Sequence, residues 1–409
     1  MNSINQPDAS LTATSEPTLR EDRFLPDDRF AGSLVARIWV PGELAGPAVA
    51  AIREDGIFEL SEEFPTMSTL LESADPAGSV RALPGRFVCT LNALLENSLT
   101  VTRDTSQAFL LAPCDLQVVK AAGVTFATSL IERVIEEQAD GDPSRAAEVR
   151  AQVELAIGSN LAEVKPGSHE AMELKKMLQS QGLWSQYLEV GIGPDAEVFT
   201  KAPVLSSVGY GNEVGIRHDS FWNNPEPEVV LAVNSAGQIV GATLGNDVNL
   251  RDIEGRSALL LGKAKDNNAS SAIGPFIRLF DATFSLDDVR TETVHLQVTG
   301  TDGFVMDGIN SMAKISRDPT NLVAQTLVSH QYPDGFMLFL GTLFSPVKDR
   351  SEPGGGFTHK LDDVVSIRSA RLGELRNTVT YCDTAQPWLF GLRAFITNLA
   401  RRGLLKHDL

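Results

Sequence analysis

The sequence predicts a strand-rich α+β protein with a small α/β domain at its N-terminal side. Two observations carry that prediction. Short apolar β-type runs separated by tight turns recur on both sides of the chain's middle, and a stretch of helical periodicity over 128–183 interrupts them once. The length of 409 residues also exceeds one typical domain. The expected organisation is a disordered polar tail over 1–22, an N-terminal α/β domain over 23–115, a β-rich domain over 116–383 carrying the insertion 128–183, and a C-terminal helix over 384–409.

The tail is rich in Ser, Thr, Pro and acidic residues, which cannot build a core. From Phe30 to about Leu111 the runs LVARIWV, AVAAI, GIFEL and FVCTL read as strands, with a turn at Glu54-Asp-Gly56 and a short helix from Thr69 to Glu72. SLIERVIEEQA, SRAAEVRAQVELAIGSNLAEV and Glu170–Leu178 are rich in helix formers. From Glu197 the runs EVVLAV, QIVGATL, TVHLQVTG, GFMLFLGTLF and DVVSIRSARLG make the later domain mainly β. GRSALLLGKAKD reads as a loop-to-helix excursion, and Gln386–Leu405 as an amphipathic helix carrying Trp388, Phe390, Phe395 and Leu399.

Composition narrows the partners. With 43% hydrophobic and 22% charged residues, the chain can bury a core without disulfides or a structural metal. A formal net charge of −18 excludes the basic footprint of a nucleic-acid binder, so an anionic substrate must be captured by local Lys or Arg. Cys89, Cys114 and Cys382 are odd in number and lack CxxC spacing, which fits a reducing cytoplasm rather than a disulfide framework. No apolar run approaches the ~20 residues of a membrane span, and the N-terminus lacks a secretory signature.

The stretch from Asn223 to Pro275 holds the chemistry. Glu226-Pro-Glu228 opens an apolar strand, the chain turns at Ser235-Ala-Gly237, and the return strand exits at Asn246-Asp247. Two glutamates two apart on a strand share one face, and Asp247 on a neighbouring strand could join them. Magnesium takes such hard oxygen ligands, and three adjacent carboxylates repel unless metallated or protonated. The same residues also read as a solvated strand start and an ordinary Asn-Asp turn. Lys265 and Lys201 are the nearest cations in sequence, available to a substrate carboxylate, as a base, or as plain surface lysines. Gly209–Gly215 has the wrong spacing for a phosphate loop and reads as a turn. His330 and His359 read as loop hydrogen-bonders, and no GxSxG elbow supports a serine triad.

These residues resemble the fumarylacetoacetate hydrolase superfamily. The resemblance rests on Glu226-Pro-Glu228, on Asn246-Asp247 followed by Arg251-Asp252, and on Lys265 ahead of Gly274-Pro275. Phe199-Thr-Lys201, Gly341-Thr342 and the tail Asp363–Asn377 add to it, over roughly residues 110–380. One departure is Asp362, where many members carry Gly. The resemblance implies a mixed β-sandwich or roll like the C-terminal domain of fumarylacetoacetase. It also implies a 2-keto acid held by Mg2+, or Mn2+, on Glu226, Glu228 and Asp247. Such members are dimers or tetramers, with 128–183 a candidate lid or subunit contact.

Two outcomes follow from that platform. Hydrolases cleave a C–C bond of a diketo acid with a His/Glu pair, and dehydratases of 2-keto-3-deoxy sugar acids expel a hydroxyl. Here Ser129 stands at the histidine position while Glu132 survives, and GVTFATSLIER is similar to the dehydratase segment GVTY-x-x-S-x-x-x-R. The resemblance therefore implies dehydration of a 2-keto-3-deoxy-pentonate to 2,5-dioxopentanoate, with diketo-acid hydrolysis as the alternative. In that reading Lys265 pairs with substrate or takes the C3 proton. Glu189 or Glu197 is the general acid, and Lys201, Ser129 and Thr342 touch substrate.

Overall fold

The computed structural model describes residues 16–99, 102–157, 164–180, 182, 184–350 and 356–405. Among them, eleven strands form one mixed sheet and five form a second, with a two-stranded ribbon beside the large sheet. The N-terminal strand Leu34–Val40 pairs antiparallel with Ser271–Leu279, so the early strands extend the sheet that carries the site. Most neighbours are antiparallel, while Val118–Gly123 runs parallel to Phe336–Phe339 and Glu213–Ile216 parallel to Gly373–Tyr381. The strand-rich α+β class and the sandwich expectation both hold.

Side-chain alternation explains the layering. On strand Pro227–Val233, Val229, Leu231 and Val233 join the core between the two sheets, with Leu296 and Ile367 from the smaller sheet. Val230 and Ala232 point to the opposite face, where helices Met67–Leu71 and Pro76–Ala82 cover them with Met67, Leu70 and Val80. A strand buried on both faces must be apolar at every position, and PEVVLAV is buried throughout. The polar ends of such strands are where chemistry can sit.

The helical insertion forms Ala127–Gln138, Pro143–Ile157 and His169–Ser180, followed by Gln186–Ile192. The end predicted for the second helix, 158–163, lies outside the described residues. Helices Ala127–Gln138 and Gln186–Ile192 pack through Leu130, Val134 and Leu188 around Trp222, just ahead of the glutamate strand. The loop-to-helix excursion appears as a tight turn Ala258–Leu260 and a helix Leu261–Lys265. Gly209–Gly215 is a turn entering the strand Glu213–Ile216, as expected.

Two expectations need correction. The tail is helical over Glu16–Phe24, because Phe24 is fully buried and Arg23 pairs with Glu374 at 2.7 Å; residues 1–15 lie outside the described set. The terminal helix spans only Leu392–Arg401. Pro387 cannot sit in a helix interior and Gly391 caps the start, so Trp388 and Phe390 precede the helix. Asp362 adopts φ 66°, the left-handed conformation that a glycine would take there, which Asp tolerates better than most residues. Among the described residues, no helix is long and apolar enough to cross a membrane, and the three cysteines are free.

Candidate active site

Register brings the carboxylates together. Strands Pro227–Val233 and Ile239–Asp247 are antiparallel, with Pro227 opposite Asn246 and Glu228 opposite Gly245. That places Glu226 across from Asp247, and the Asp247 amide donates to the Glu226 carbonyl at 3.0 Å. One oxygen each from Glu226, Glu228 and Asp247 lies within 4.8 Å of the others, and all three side chains are buried. The solvated-turn reading is therefore excluded.

Cations frame the cluster. Lys265 Nζ lies 2.5 Å from Glu226 Oε2 and 3.3 Å from Asp247 Oδ2. Lys201, fully buried, pairs with Asp247 Oδ1 at 2.7 Å and donates to the carbonyls of Val248 and Lys265. Both are site residues rather than surface lysines. Lys201, which its sequence context suggested as a substrate contact, directs its hydrogens to Asp247 and to two carbonyls of the protein.

Sequence reasoning missed a further layer. Arg133 pairs with Glu226 Oε1, with Glu136 at 2.6 Å and with Glu254 at 3.0 Å. Arg251 reaches Glu136 at 3.2 Å and donates to Asn224 Oδ1 at 2.8 Å. Arg133 stands four residues after Ser129, on the same face of its helix. The arginine ending GVTFATSLIER was its only signal, since propensity alone reads SLIERVIEEQA as an ordinary charged helix.

The electrostatics follow from burial. Glu228 is pushed well above the carboxylate range by burial, reinforced by Asp247 and Glu226, and its Oε2 accepts the Gly341 amide at 2.7 Å. Burial also opposes the charge on Asp247, but Lys201 and Lys265 outweigh it and hold its carboxyl below its usual value. Burial works against Lys265 as well, and there Asp247 and Glu226 prevail and raise it. Glu197 is pushed up to about 7, by burial first and then by Glu254.

Glu197 begins the strand Glu197–Ala202 opposite Gly123, where a Cβ would sit 1.9 Å from Glu197 Oε2. Gly123 thus leaves room for that carboxyl, which feels Arg133, Lys265 and Glu226. Glu189 is not brought to this cluster. Its carboxylate is held by Lys175 at 2.5 Å and by Trp184 Nε1 at 3.1 Å, and it is 43% exposed. Ser129 is buried and donates to the Phe126 carbonyl at 2.8 Å, while Thr342, next to Gly341, donates to the Phe344 carbonyl at 3.0 Å.

The backbone under the site is tightly specified. Val124 adopts φ 57°, costly for a β-branched residue. Thr125 Oγ1 donates to the Leu340 carbonyl at 2.6 Å. Gly341 has φ 98°, and a Cβ there would sit 2.0 Å from Thr125 Oγ1.

The donor set fits a divalent cation. Glu136, Glu197, Glu226, Glu228, Glu254 and Asp247 face Arg133, Arg251, Lys201 and Lys265, which leaves two carboxylates without a matching positive charge. Hard oxygens with that surplus suit Mg2+ or Mn2+.

No protein-family model matches the chain. Over 182 residues it is 30% identical to the 2-dehydro-3-deoxy-D-arabinonate dehydratase of Saccharolobus solfataricus, covering 44% of this chain and 57% of that protein. Over 194 residues it is 29% identical to a probable 2-keto-3-deoxyxylonate dehydratase of Haloferax volcanii, covering 47% of this chain and 63% of that protein. The matched segments thus span less than two thirds of either relative. A solved 2-keto-3-deoxy-D-arabinonate dehydratase without ligand shares the fold, with TM-score 0.59, 21% identity, and coverage of 85% of this chain and 99% of that one. The same figures hold for a 2-keto-3-deoxy-D-arabinonate dehydratase complexed with magnesium and 2,5-dioxopentanoate.

Proposed function

We propose that the chain is a Mg2+-dependent hydro-lyase that converts a 2-keto-3-deoxy-pentonate to 2,5-dioxopentanoate and water. The observation that carries this reading is the buried Glu226–Glu228–Asp247 cluster flanked by Lys265 and Lys201. Resemblance to named dehydratases supports the choice of reaction. We also place the protein in the cytoplasm, as a homo-oligomer acting on a small molecule.

A divalent cation on the three carboxylates would supply Lewis-acid polarisation of a 2-keto acid, which acidifies the C3 hydrogens. The chain's own residues do the rest. Lys265, held protonated between Glu226 and Asp247, is placed to pair with a substrate oxyanion, and its contacts favour that role over the base. Glu197 is neutral over much of the range below pH 7 and can deliver a proton to the C4 hydroxyl as the C4–O bond breaks. Loss of a C3 proton and the C4 hydroxyl as water leaves an unsaturated acid, whose tautomerisation puts an aldehyde at C5. Ser129 disfavours hydrolysis, because a hydroxyl cannot hold the proton that an imidazole takes from water near neutral pH.

Incubation with Mg2+ and 2-keto-3-deoxy-D-xylonate, the same compound as 2-keto-3-deoxy-D-arabinonate, should yield an aldehyde-bearing 2-keto acid. Cleavage of an acylpyruvate with the sugar acid untouched would instead establish the hydrolase.

A further inference from the structure

A cavity of about 460 Å³ shares no residue with the carboxylate cluster. It is lined from helix Glu16–Phe24, helix Leu91–Ser98, the turn Gly209–Gly215 and strand Gly373–Tyr381. We propose that this cavity is a second binding site, taking a small molecule with an oxyanion group, phosphate or carboxylate, on the Arg376 guanidinium and the Tyr210 hydroxyl. The inference does not depend on the dehydratase reading.

Charge singles the cavity out. The chain carries a net −18, yet Arg20, Arg23 and Arg376 line this space against Glu96 and Glu374. That leaves one positive charge over. Arg23 is committed to Glu374, at 2.7 and 3.0 Å, and the same carboxylate oxygen accepts Ser366 Oγ. Arg376 stands two residues after Glu374, on the same face of the strand. Its guanidinium makes no ion pair and no side-chain hydrogen bond among the described residues. A planar fork of donors with nothing to hold matches an oxyanion.

Tyr210 supplies the second donor. It is 2% exposed and lines the cavity, and its hydroxyl has no partner among the described residues. Buried phenols usually find one. Burial pushes the phenol up and Glu374 adds to that, while Arg376, Arg23 and Arg20 draw it back down. The oxygen therefore stands among the cavity's own guanidiniums and keeps its proton at neutral pH.

The walls hold these donors in place. The Gly211 amide donates to the Arg376 carbonyl at 2.7 Å, and Asn377 Nδ2 donates to the carbonyls of Gly209 and Asn212, each at 3.0 Å. Gly211 has φ 76° and lies so close to helix Leu91–Ser98 that a Cβ would sit 2.1 Å from the Ser98 carbonyl oxygen. Arg103 clamps that carbonyl at 3.0 Å and the Tyr210 carbonyl at 3.2 Å. The turn thus offers the cavity a side-chain donor, where a phosphate loop would offer backbone amides.

The test titrates the full-length protein, stripped of metal by chelator and held at constant ionic strength in chloride, with inorganic phosphate and with malonate. Isothermal calorimetry should show saturable binding of at least one of them. Phosphate alone would assign the site to a phosphorylated ligand, and malonate alone to a carboxylate. Arg376→Gln should weaken binding about 10-fold or more, and Arg376→Lys by less, because an ammonium keeps the charge without the fork. Tyr210→Phe keeps the ring and should weaken it about 3-fold or more. Circular dichroism and thermal melts identify which variants are folded. Saturable binding of neither anion overturns the inference, and so does a folded Arg376→Gln that binds as wild type does. Neither Mg2+ nor a keto acid is present, so such a failure leaves the proposed reaction standing.

Discussion

Glu226 presents one carboxylate oxygen to Lys265 and the other to Arg133, so the first acid of the cluster is held at both ends by buried cations. Asp247 has the same arrangement with Lys201 and Lys265. Glu228 is held only by the Gly341 amide among the described residues. The three acids are alike in sequence and unlike in environment, and the predictions follow from that asymmetry.

Glu228→Gln should separate folding from metal binding. The folded-state pKa of Glu228 lies above its unfolded value, because burial and the neighbouring acids disfavour its charge. The neutral form is therefore the stable one, and stability falls as pH rises above the unfolded value of about 4.5. Removing the charge should raise the melting temperature of the metal-free protein at pH 7 by on the order of 2 °C. Added Mg2+ should raise the melting temperature of wild type but not of the variant. Calorimetric scans with chelator and with Mg2+ measure both effects.

Arg133→Met should be severely destabilising. It strands Glu226, Glu136 and Glu254 without their shared cation, and breaking a buried pair costs about 3–5 kcal/mol. Arg133→Lys should recover only part, since an ammonium cannot reproduce the planar fork. Chemical denaturation of the three proteins at pH 7 ranks them.

Glu197 should set an alkaline limb. With its carboxyl raised to about 7, the acid-competent form prevails below that pH and is lost above it, so kcat should fall as pH rises through 7. Glu197→Gln should lower kcat by ~10²–10⁴ and abolish that limb. Glu189→Gln should leave both rate and profile unchanged, because Glu189 is tied to Lys175 and Trp184 away from the cluster. A profile that survives Glu197→Gln would transfer the role elsewhere.

Gly341→Ala tests the backbone. The added methyl meets Thr125 Oγ1 at 2.0 Å in a left-handed conformation, so the loop must shift and carry the amide away from Glu228. A loss of at least about 1 kcal/mol in stability is expected, together with weaker Mg2+ binding by titration calorimetry. Pairing it with Thr125→Gly, which removes the clash and leaves φ unchanged, should restore part of both.

By itself the sequence determined the strand-rich class and the helical interruption, and it offered the three carboxylates with Lys265 and Lys201 as candidates beside a plain solvated-turn reading. Those features are written in local pattern: period-two apolar runs, an ExE pair at a strand start, and an Asp at a strand exit. Only the tertiary structure decided which acid lies near the cluster. Glu189 and Glu197 look alike in sequence, yet Gly123 makes room for one beside Glu226 while Lys175 takes the other. Arg133, Arg251 and Glu254 were unreadable as a group because their meeting depends on how a helix packs against the ends of a sheet. His359 likewise looked like an ordinary loop residue until folding enclosed it between Asp363 and Asn223. Local pattern places a side chain on an element, whereas its charge state and partners come from burial, which only the packed fold defines.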